Sequence, residues 1–176
     1  SAAITAADAH ARVLLVDADK KLGGSTALSG GVYYAAGTAQ QRARGYLNDS
    51  ADALFEYYMT LNQYRVEASL ARRLCDGAAD GLAWLTDLGV EFRPEDLYAS
   101  GVESVPRGHA ALGNGAAIAA ALEREVSRRA IDVALNTRVS GLVTAADGRV
   151  CGIRSGETTV TAGAVVVTTG GFGANP

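Results

Sequence analysis

Val13-Leu14-Leu15-Val16-Asp17, followed six residues later by Gly23-Gly24-Ser25-Thr26-Ala27-Leu28-Ser29-Gly30-Gly31, decides how this chain is read. An apolar, β-branched run closing on a lone carboxylate reads as a buried parallel strand with Asp17 at its carboxyl end. In a dinucleotide-binding fold an acid at that position accepts hydrogen bonds from adenosine ribose hydroxyls. The loop that follows carries glycines and small hydroxyl side chains, as a backbone does where it must approach something closely. Strand, acid and Gly-rich loop together point to a nucleotide cofactor.

The phosphate-binding Gly-x-Gly-x-x-Gly turn of such folds precedes the helix that leads into this strand. Here the chain opens with Ser1-Ala2-Ala3-Ile4-Thr5-Ala6-Ala7-Asp8-Ala9-His10, which reads as the back half of that helix. No initiator Met and no first strand precede it, and the other end stops at Gly170-Gly171-Phe172-Gly173-Ala174-Asn175-Pro176, straight after an apolar strand. The expectation is a fragment truncated at both ends.

A chain of 176 residues, 48% hydrophobic and 20% charged, belongs to the globular class and can hold one domain with a real core. Its net charge of −3 and scattered arginine pairs give no basic footprint, which argues against nucleic-acid binding. No apolar run reaches the roughly 18 residues that span a bilayer, so no membrane span is expected and the cytoplasm is the default location. Cys75 and Cys151 lack metal-like spacing and read as two buried thiols. Two histidines without a Cys/His cluster give no metal site.

Along the chain, residues 1–10 are expected to be helical and residues 12–17 to form the strand, with a close-packed loop from 18 to 39. Asp49-Ser50 offers an N-cap to a helix with Leu54, Phe55, Tyr58 and Leu61 on one side. A second helix is expected from about Glu67 to Leu88, interrupted near Gly77, with Leu74, Leu82, Leu85 and Leu88 inward and Gly89 as its C-cap. Val90–Pro106 reads as irregular. After Gly113-Asn114-Gly115, Ile118, Leu122 and Val126 recur every four residues, with Glu125 and Arg129 paired on the wet side. Residues 131–135 read as a short strand. Segments 139–145, 150–154 and 158–161 read as a three-stranded meander with Asp147-Gly148 at a turn. Ala164–Thr169 reads as another buried parallel strand. The order fits an α/β nucleotide domain with a helical insertion.

The run VLLVDADKKLGGSTALSGGVYYAAGT, the PRGH at Pro106–His109, the NTRV at Asn136–Val139 and the terminal TTGGFGANP resemble one FAD-dependent family. It contains soluble fumarate reductases, urocanate reductases and 3-ketosteroid dehydrogenases. The likeness spans nearly the whole chain in order and spacing. YYAAGTAQQRARGYLNDSADAL, WLTDLGVEF and LYASG look most similar to the ketosteroid dehydrogenase branch. The resemblance implies a Rossmann-like FAD-binding domain of the glutathione-reductase type. Residues 1–48 and 109–176 would form that domain, and 49–108 the helical insertion. The rest of the parent chain would include a capping domain.

The resemblance also implies roles. Asp17 matches the acid that holds the adenosine ribose, commonly Glu, while Ala18 departs from the Lys often found next. Gly24, Ser25, Thr26, Ser29, Gly30 and Gly31 match the loop beside the pyrophosphate and flavin ring. Side chains at Gly30 or Gly31 would collide with the isoalloxazine. Val139 matches the residue whose backbone meets the adenine edge, and Thr169 and Gly170 match the strand end that turns past the cofactor. His109 is expected to order its loop rather than transfer protons, because Ala110-Ala111-Leu112 replaces the family's Arg-Pro continuation. Tyr33, Tyr34 and Tyr98 could face substrate, though buried packing is the stronger expectation for each.

No catalytic acid or base is assigned, since the family's proton donors lie beyond Pro176. The implied activity is oxidation or reduction of a CH–CH bond beside a carbonyl or carboxylate. An oxosteroid is the first expected substrate and an unsaturated dicarboxylate the second. A non-redox nucleotide-binding module is the competing class. Lacking the phosphate turn, the isolated stretch is expected to bind FAD weakly.

Overall fold

A computed structural model describes residues 1–171. In chain order the elements are α1 (Ala2–Asp8), β1 (Val13–Val16), α2 (Gly24–Leu28), β2 (Val32–Tyr34), α3 (Ala39–Ala43), α4 (Ala51–Leu61) and α5 (Ala68–Asp87). They continue as β3 (Phe92–Tyr98), β4 (Gly108–Ala111), α6 (Asn114–Ser127), β5 (Ile131–Ala134), β6 (Gly141–Thr144), β7 (Val150–Ser155) and β8 (Thr158–Thr161). The result is a mixed α/β fold of two compact units, residues 1–25 with 123–176 and residues 26–122.

In the first unit β1 pairs in parallel with β5, Val13 opposite Ile131 and Val16 opposite Ala134. Leu14 and Val133 remain 43% and 42% exposed, so this pair is half-buried rather than buried as expected. Arg129 joins α1 to the end of α6: its Nε and Nη2 donate to the Asp8 carboxylate at 2.7 and 3.1 Å, and its Nη1 donates to Glu125 Oε2 at 2.6 Å. Arg129 holds both carboxyls below their ordinary range. The Glu125–Arg129 pair therefore forms, but with Glu125 buried, not on the wet side. The meander forms as the antiparallel order β6-β7-β8, and Gly148, with φ at 82°, closes its first turn.

The second expected parallel strand does not form. Ala164–Thr169 is irregular, with Val166 and Val167 68% and 60% exposed. A strand exists only through a ladder partner, and β1 has β5 alone beside it among the described residues. Phe172–Pro176, the end of the quoted terminal motif, lies outside the described residues.

The second unit is built on β2-β4-β3, an antiparallel sheet, with a core that includes Ala35, Leu54, Cys75, Leu82, Leu85, Phe92 and Ile118. Ser50 caps α4 by accepting from the Ala53 amide. Met59 is buried on that helix, whereas Leu61, expected inward, is 55% exposed. α5 runs unbroken through Gly77 and buries Ala71, Cys75, Ala78, Leu82 and Leu85. That alternating four-and-three spacing is a helical stripe made largely of small residues. Leu74 lies one residue off it and is 57% exposed, contrary to expectation. Burial also pushes the Cys75 thiol up, so it stays protonated and inert. At the helix end, the Gly89 amide donates to Thr86 O and the Val90 amide to Leu85 O, with Gly89 at φ 88°. This is the Schellman arrangement.

β3 corrects the irregular reading of Val90–Pro106. Phe92-Arg93-Pro94-Glu95-Asp96 has weak strand character, but it lies on a sheet edge where proline is tolerated, and its register slips between Phe92 and Leu97. Gln40 from α3 and Arg44, its C-cap, donate to the carbonyls of Phe92 and Pro94, covering that edge.

Candidate functional site

In the first unit Asp17 follows β1, as expected. Its amide donates to Ala134 O at 3.0 Å, so β5 fixes its backbone. Its Oδ1 accepts from the Asp19 amide at 2.9 Å, and Oδ2 has no hydrogen-bond partner among the described residues. A half-buried carboxylate with one pinned and one free oxygen suits a ribose hydroxyl. The amides of Asn136 and Thr137 donate to Asp19 O and Asp17 O at 2.8 and 2.9 Å, which brings Val139, two residues on, to the same end of the β1–β5 pair. Thr169 and Gly170 lie in the irregular segment and share no hydrogen bond with Asp17 or Val139 among the described residues. Gly170 has φ at 82°.

Gly24 and Ser25, which open α2, are exposed. A Cβ on Gly24 would meet nothing within 4 Å, although its φ of 45° already favours glycine.

The second unit divides the rest of the loop into two classes. Ser29 closes it internally: its hydroxyl donates to Thr26 O at 2.8 Å and accepts from the Gly31 amide at 3.3 Å. The Gly115 amide at the start of α6 donates to Ser29 O, and the Ala111 amide donates to Gly31 O. Gly31, at φ 68°, lies against the backbone of Asn114 and Gly115. Gly115 is reciprocally close, since a Cβ there would stand 1.9 Å from Thr26 O. Gly31 is thus required by the chain itself, before any cofactor enters. Gly30 is the opposite case: its φ is ordinary and a Cβ would meet nothing within 4 Å. The Thr26 and Ser25 hydroxyls are exposed and have no hydrogen-bond partner among the described residues. Within the second unit Thr26 and Gly30 are thus free, and Ser29 and Gly31 are engaged and hold the shape of the loop.

Beside this loop the core carries a polar network. Arg107 donates to Asp49 in bidentate fashion, Nε to Oδ2 at 2.9 Å and Nη2 to Oδ1 at 2.6 Å, with side chains 7% and 2% exposed. Gln41, fully buried, donates to Asp49 Oδ2 and Pro106 O and accepts from the Thr38 amide. Thr38 caps α3 by accepting from the Gln41 amide. His109 closes the network. Its Nδ1 faces two carbonyls, Arg107 O at 2.8 Å and Tyr33 O at 3.2 Å, so it carries the proton. Its Nε2 then accepts from Thr38 Oγ1 at 2.8 Å. Burial lowers the imidazole pKa, in keeping with a neutral ring. With every ring nitrogen engaged internally, His109 orders its loop. The sequence offered Asp49 only as a cap candidate and passed over Gln41, because nothing local announces partners 58 and 65 residues away.

Register decides which tyrosines reach solvent. Tyr33, His109 and Leu97 form one row across β2-β4-β3, and Tyr34, Gly108 and Tyr98 the next. Opposed residues share a face and successive residues alternate. The Tyr33 row therefore faces the core. Tyr34 and Tyr98 face the other way, 37% and 38% exposed, and are not buried as expected. Among the described residues no three His, Cys, Asp or Glu side chains gather into a metal site, and no helix is long and apolar enough to cross a membrane.

The family described as FAD binding domain matches residues 1–176. Fumarate reductase (cytochrome) of Shewanella frigidimarina is 33% identical over 99% of this chain and 32% of its own length. The open conformation of a flavocytochrome c3 fumarate reductase superposes with TM-score 0.78 at 34% identity, covering 86% of this chain and 27% of that one. The 3-ketosteroid-Δ4-(5α)-dehydrogenase of Rhodococcus jostii RHA1, solved with 4-androstene-3,17-dione, superposes with TM-score 0.77 at 26% identity, covering 88% of this chain and 38% of that one. The chain spans about a third of the length of the curated relatives it matches. It belongs to the FAD-binding domain family, and FAD is its cofactor.

Proposed function

We propose that the full-length protein is an FAD-dependent oxidoreductase acting on a CH–CH bond beside an activating carbonyl or carboxylate. This chain would be the part that holds the flavin. When bound, FAD supplies the hydride chemistry. Asp17 would hold the adenosine ribose and Val139 the adenine edge. Gly24, Ser25, Thr26 and Gly30 would lie along the pyrophosphate and flavin, while Ser29 and Gly31 keep that loop in shape against Asn114-Gly115. Thr169 and Gly170 would turn past the cofactor. The proposed frame is the glutathione-reductase type, with residues 49–108 as an insertion between its segments.

The observation that carries this reading is Gly30: it lacks a side chain for no internal reason, beside Ser29 and Gly31, which are engaged with one another and with the start of α6. A fumarate-like acid is supported by the 33% identity to the Shewanella enzyme. An oxosteroid is supported by the likeness to the steroid dehydrogenase. Absorption spectra of the purified full-length protein test the proposal. Bleaching of the flavin by an oxosteroid without oxygen, or reoxidation of dithionite-reduced flavin by fumarate, is the expected behaviour. A protein that takes up no FAD would leave a non-redox nucleotide-binding module instead.

A further inference from the structure

Residues 99–105 link the last rung of the β3–β4 pair, Tyr98 opposite Gly108, to the buried Pro106. Both ends of this segment are pinned, one by that rung and the other by Gln41 Nε2, which donates to Pro106 O at 2.9 Å. Among the described residues its one backbone–backbone hydrogen bond is internal, from the Glu103 amide to Ser100 O at 3.3 Å. Side chains do the fastening. Ser100, Gly101, Val102 and Ser104 are exposed, Val102 to 81%, while the Glu103 side chain among them is fully buried. Glu103 Oε2 accepts from the Ser100 amide at 3.0 Å and from the Tyr34 hydroxyl at 3.4 Å, and that hydroxyl also bonds Ser100 Oγ. Tyr34 belongs to the row of β2-β4-β3 that faces away from the core, so the segment is tied down over the outward face. The fastening is incomplete. Glu103 Oε1 lies 4.0 Å from Arg107 Nη1 and has no hydrogen-bond partner, while Asp49 takes the same guanidinium in bidentate fashion.

We infer that residues 99–105 are a strap that opens and closes over the Tyr34 end of this face, with Tyr34, Ser100 and Glu103 as its clasp. A carboxylate drawn out of water with one oxygen unmatched returns little net stability to the closed state. Opening rehydrates Glu103 and breaks no backbone bond to another element, so the neighbouring network stays assembled while the strap lets go. The pinned ends confine the movement and keep β3 and β4 in register. Gly101, at φ 63° with open space where a Cβ would stand, makes the turn at the tip. Closed, the strap keeps the Tyr34 hydroxyl engaged; open, it frees that hydroxyl on a face that begins at Val32, next to Gly31. The inference goes beyond the oxidoreductase reading and holds for any occupant of the face.

The test is hydrogen exchange read by mass spectrometry on the full-length, FAD-loaded protein over a series of low urea concentrations. The amides of residues 100–105 are expected to be protected at least about tenfold less than those of Gln41, Asp49, Arg107 and His109, and to respond little to urea, the mark of a local opening. Tyr34→Phe keeps the ring and removes the clasp hydroxyl. It is expected to speed exchange in 100–105 about tenfold, the value of one lost hydrogen bond, with β2, β4 and the thermal midpoint unchanged. Ser100→Ala removes the same bond from the strap's side and is expected to act alike, which keeps the test open if Tyr34→Phe fails to fold. Elastase, which cuts after small apolar residues, is expected to cleave after Val102 about tenfold faster in both variants, since cutting tracks the open population. Exchange of 100–105 in step with the network, no protection of 100–105 in the parent, or rates unchanged in both variants overturns the inference. Failure to take up FAD overturns the oxidoreductase reading alone, because the strap is read the same way in the unloaded protein.

Discussion

A Cβ built on Gly31 would stand 2.3 Å from the carbonyl carbon of Asn114, whereas one on Gly30 would meet nothing within 4 Å. Neighbouring glycines therefore answer to different demands. Gly31→Ala must displace the start of α6 and hold an alanine at φ 68°, and it is expected to lose at least about 2 kcal/mol of stability. Gly30→Ala is expected to leave the thermal midpoint in place and weaken FAD binding by about tenfold or more. Paired thermal unfolding and FAD titration separate the two. Unchanged FAD affinity in Gly30→Ala would remove that position from the cofactor surface.

Asp17 offers a second contrast. Asp17→Ala is expected to reduce FAD affinity by about 1.5–3 kcal/mol, the range for a hydrogen bond to a charged group. Asp17→Glu retains an acceptor and is expected to lose far less. Calorimetric titration with FAD checks both, and equal affinity of Asp17→Ala and the parent would move the ribose contact elsewhere.

How far the sequence carries can be judged from these same positions. β1, the cap at Ser50, the end at Gly89 and the meander are written in local pattern: β-branched runs, a capping hydroxyl, a glycine, an Asp-Gly turn. β3 was not legible, because its strand character comes from β4 beside it and from Gln40 and Arg44 along its edge. Leu74 misled because leucine outranks alanine in any reading of apolarity, while the packed face of α5 needed small residues. The loop from Gly23 to Gly31 is legible in the sequence as a glycine-rich stretch after β1. Its division into Gly30, free, and Ser29 and Gly31, engaged, depends on Asn114-Gly115, far along the chain.

The Arg107–Asp49 pair makes a stability prediction. Arg107→Met leaves Asp49 buried without its cation, and such losses run to roughly 3–5 kcal/mol. Adding Asp49→Leu removes one of the two carboxylates that face the lost guanidinium, Glu103 being the other at 4.0 Å, and is expected to recover part of the loss. Urea unfolding of the single and double variants measures both. A double variant worse than the sum of its parts would mean the pair is not the source of the cost.

His109 predicts a pH dependence. Its folded-state pKa lies below the ordinary 6.5, so between those values the unfolded chain binds the extra proton. Stability should therefore fall as pH drops below about 6.5, by at most about 1.4 kcal/mol per pH unit from this group, and level off below the folded pKa. His109→Gln is expected to flatten that part of the profile. Denaturant midpoints at a series of pH values test it, and a slope unchanged by the substitution would exclude His109 as its origin.

The polar network joining Arg107, Asp49, Gln41, Thr38 and His109 has a consequence for how the second unit comes apart. The cap of α3, the approach to α4 and two strands hang on it together. None of these pieces can fray alone without stranding a buried donor or acceptor of another. Their backbone amides should consequently exchange with solvent deuterium as one block, at a common free energy of opening. The loop proposed to lie against the flavin would then borrow its stillness from chemistry that never touches the cofactor.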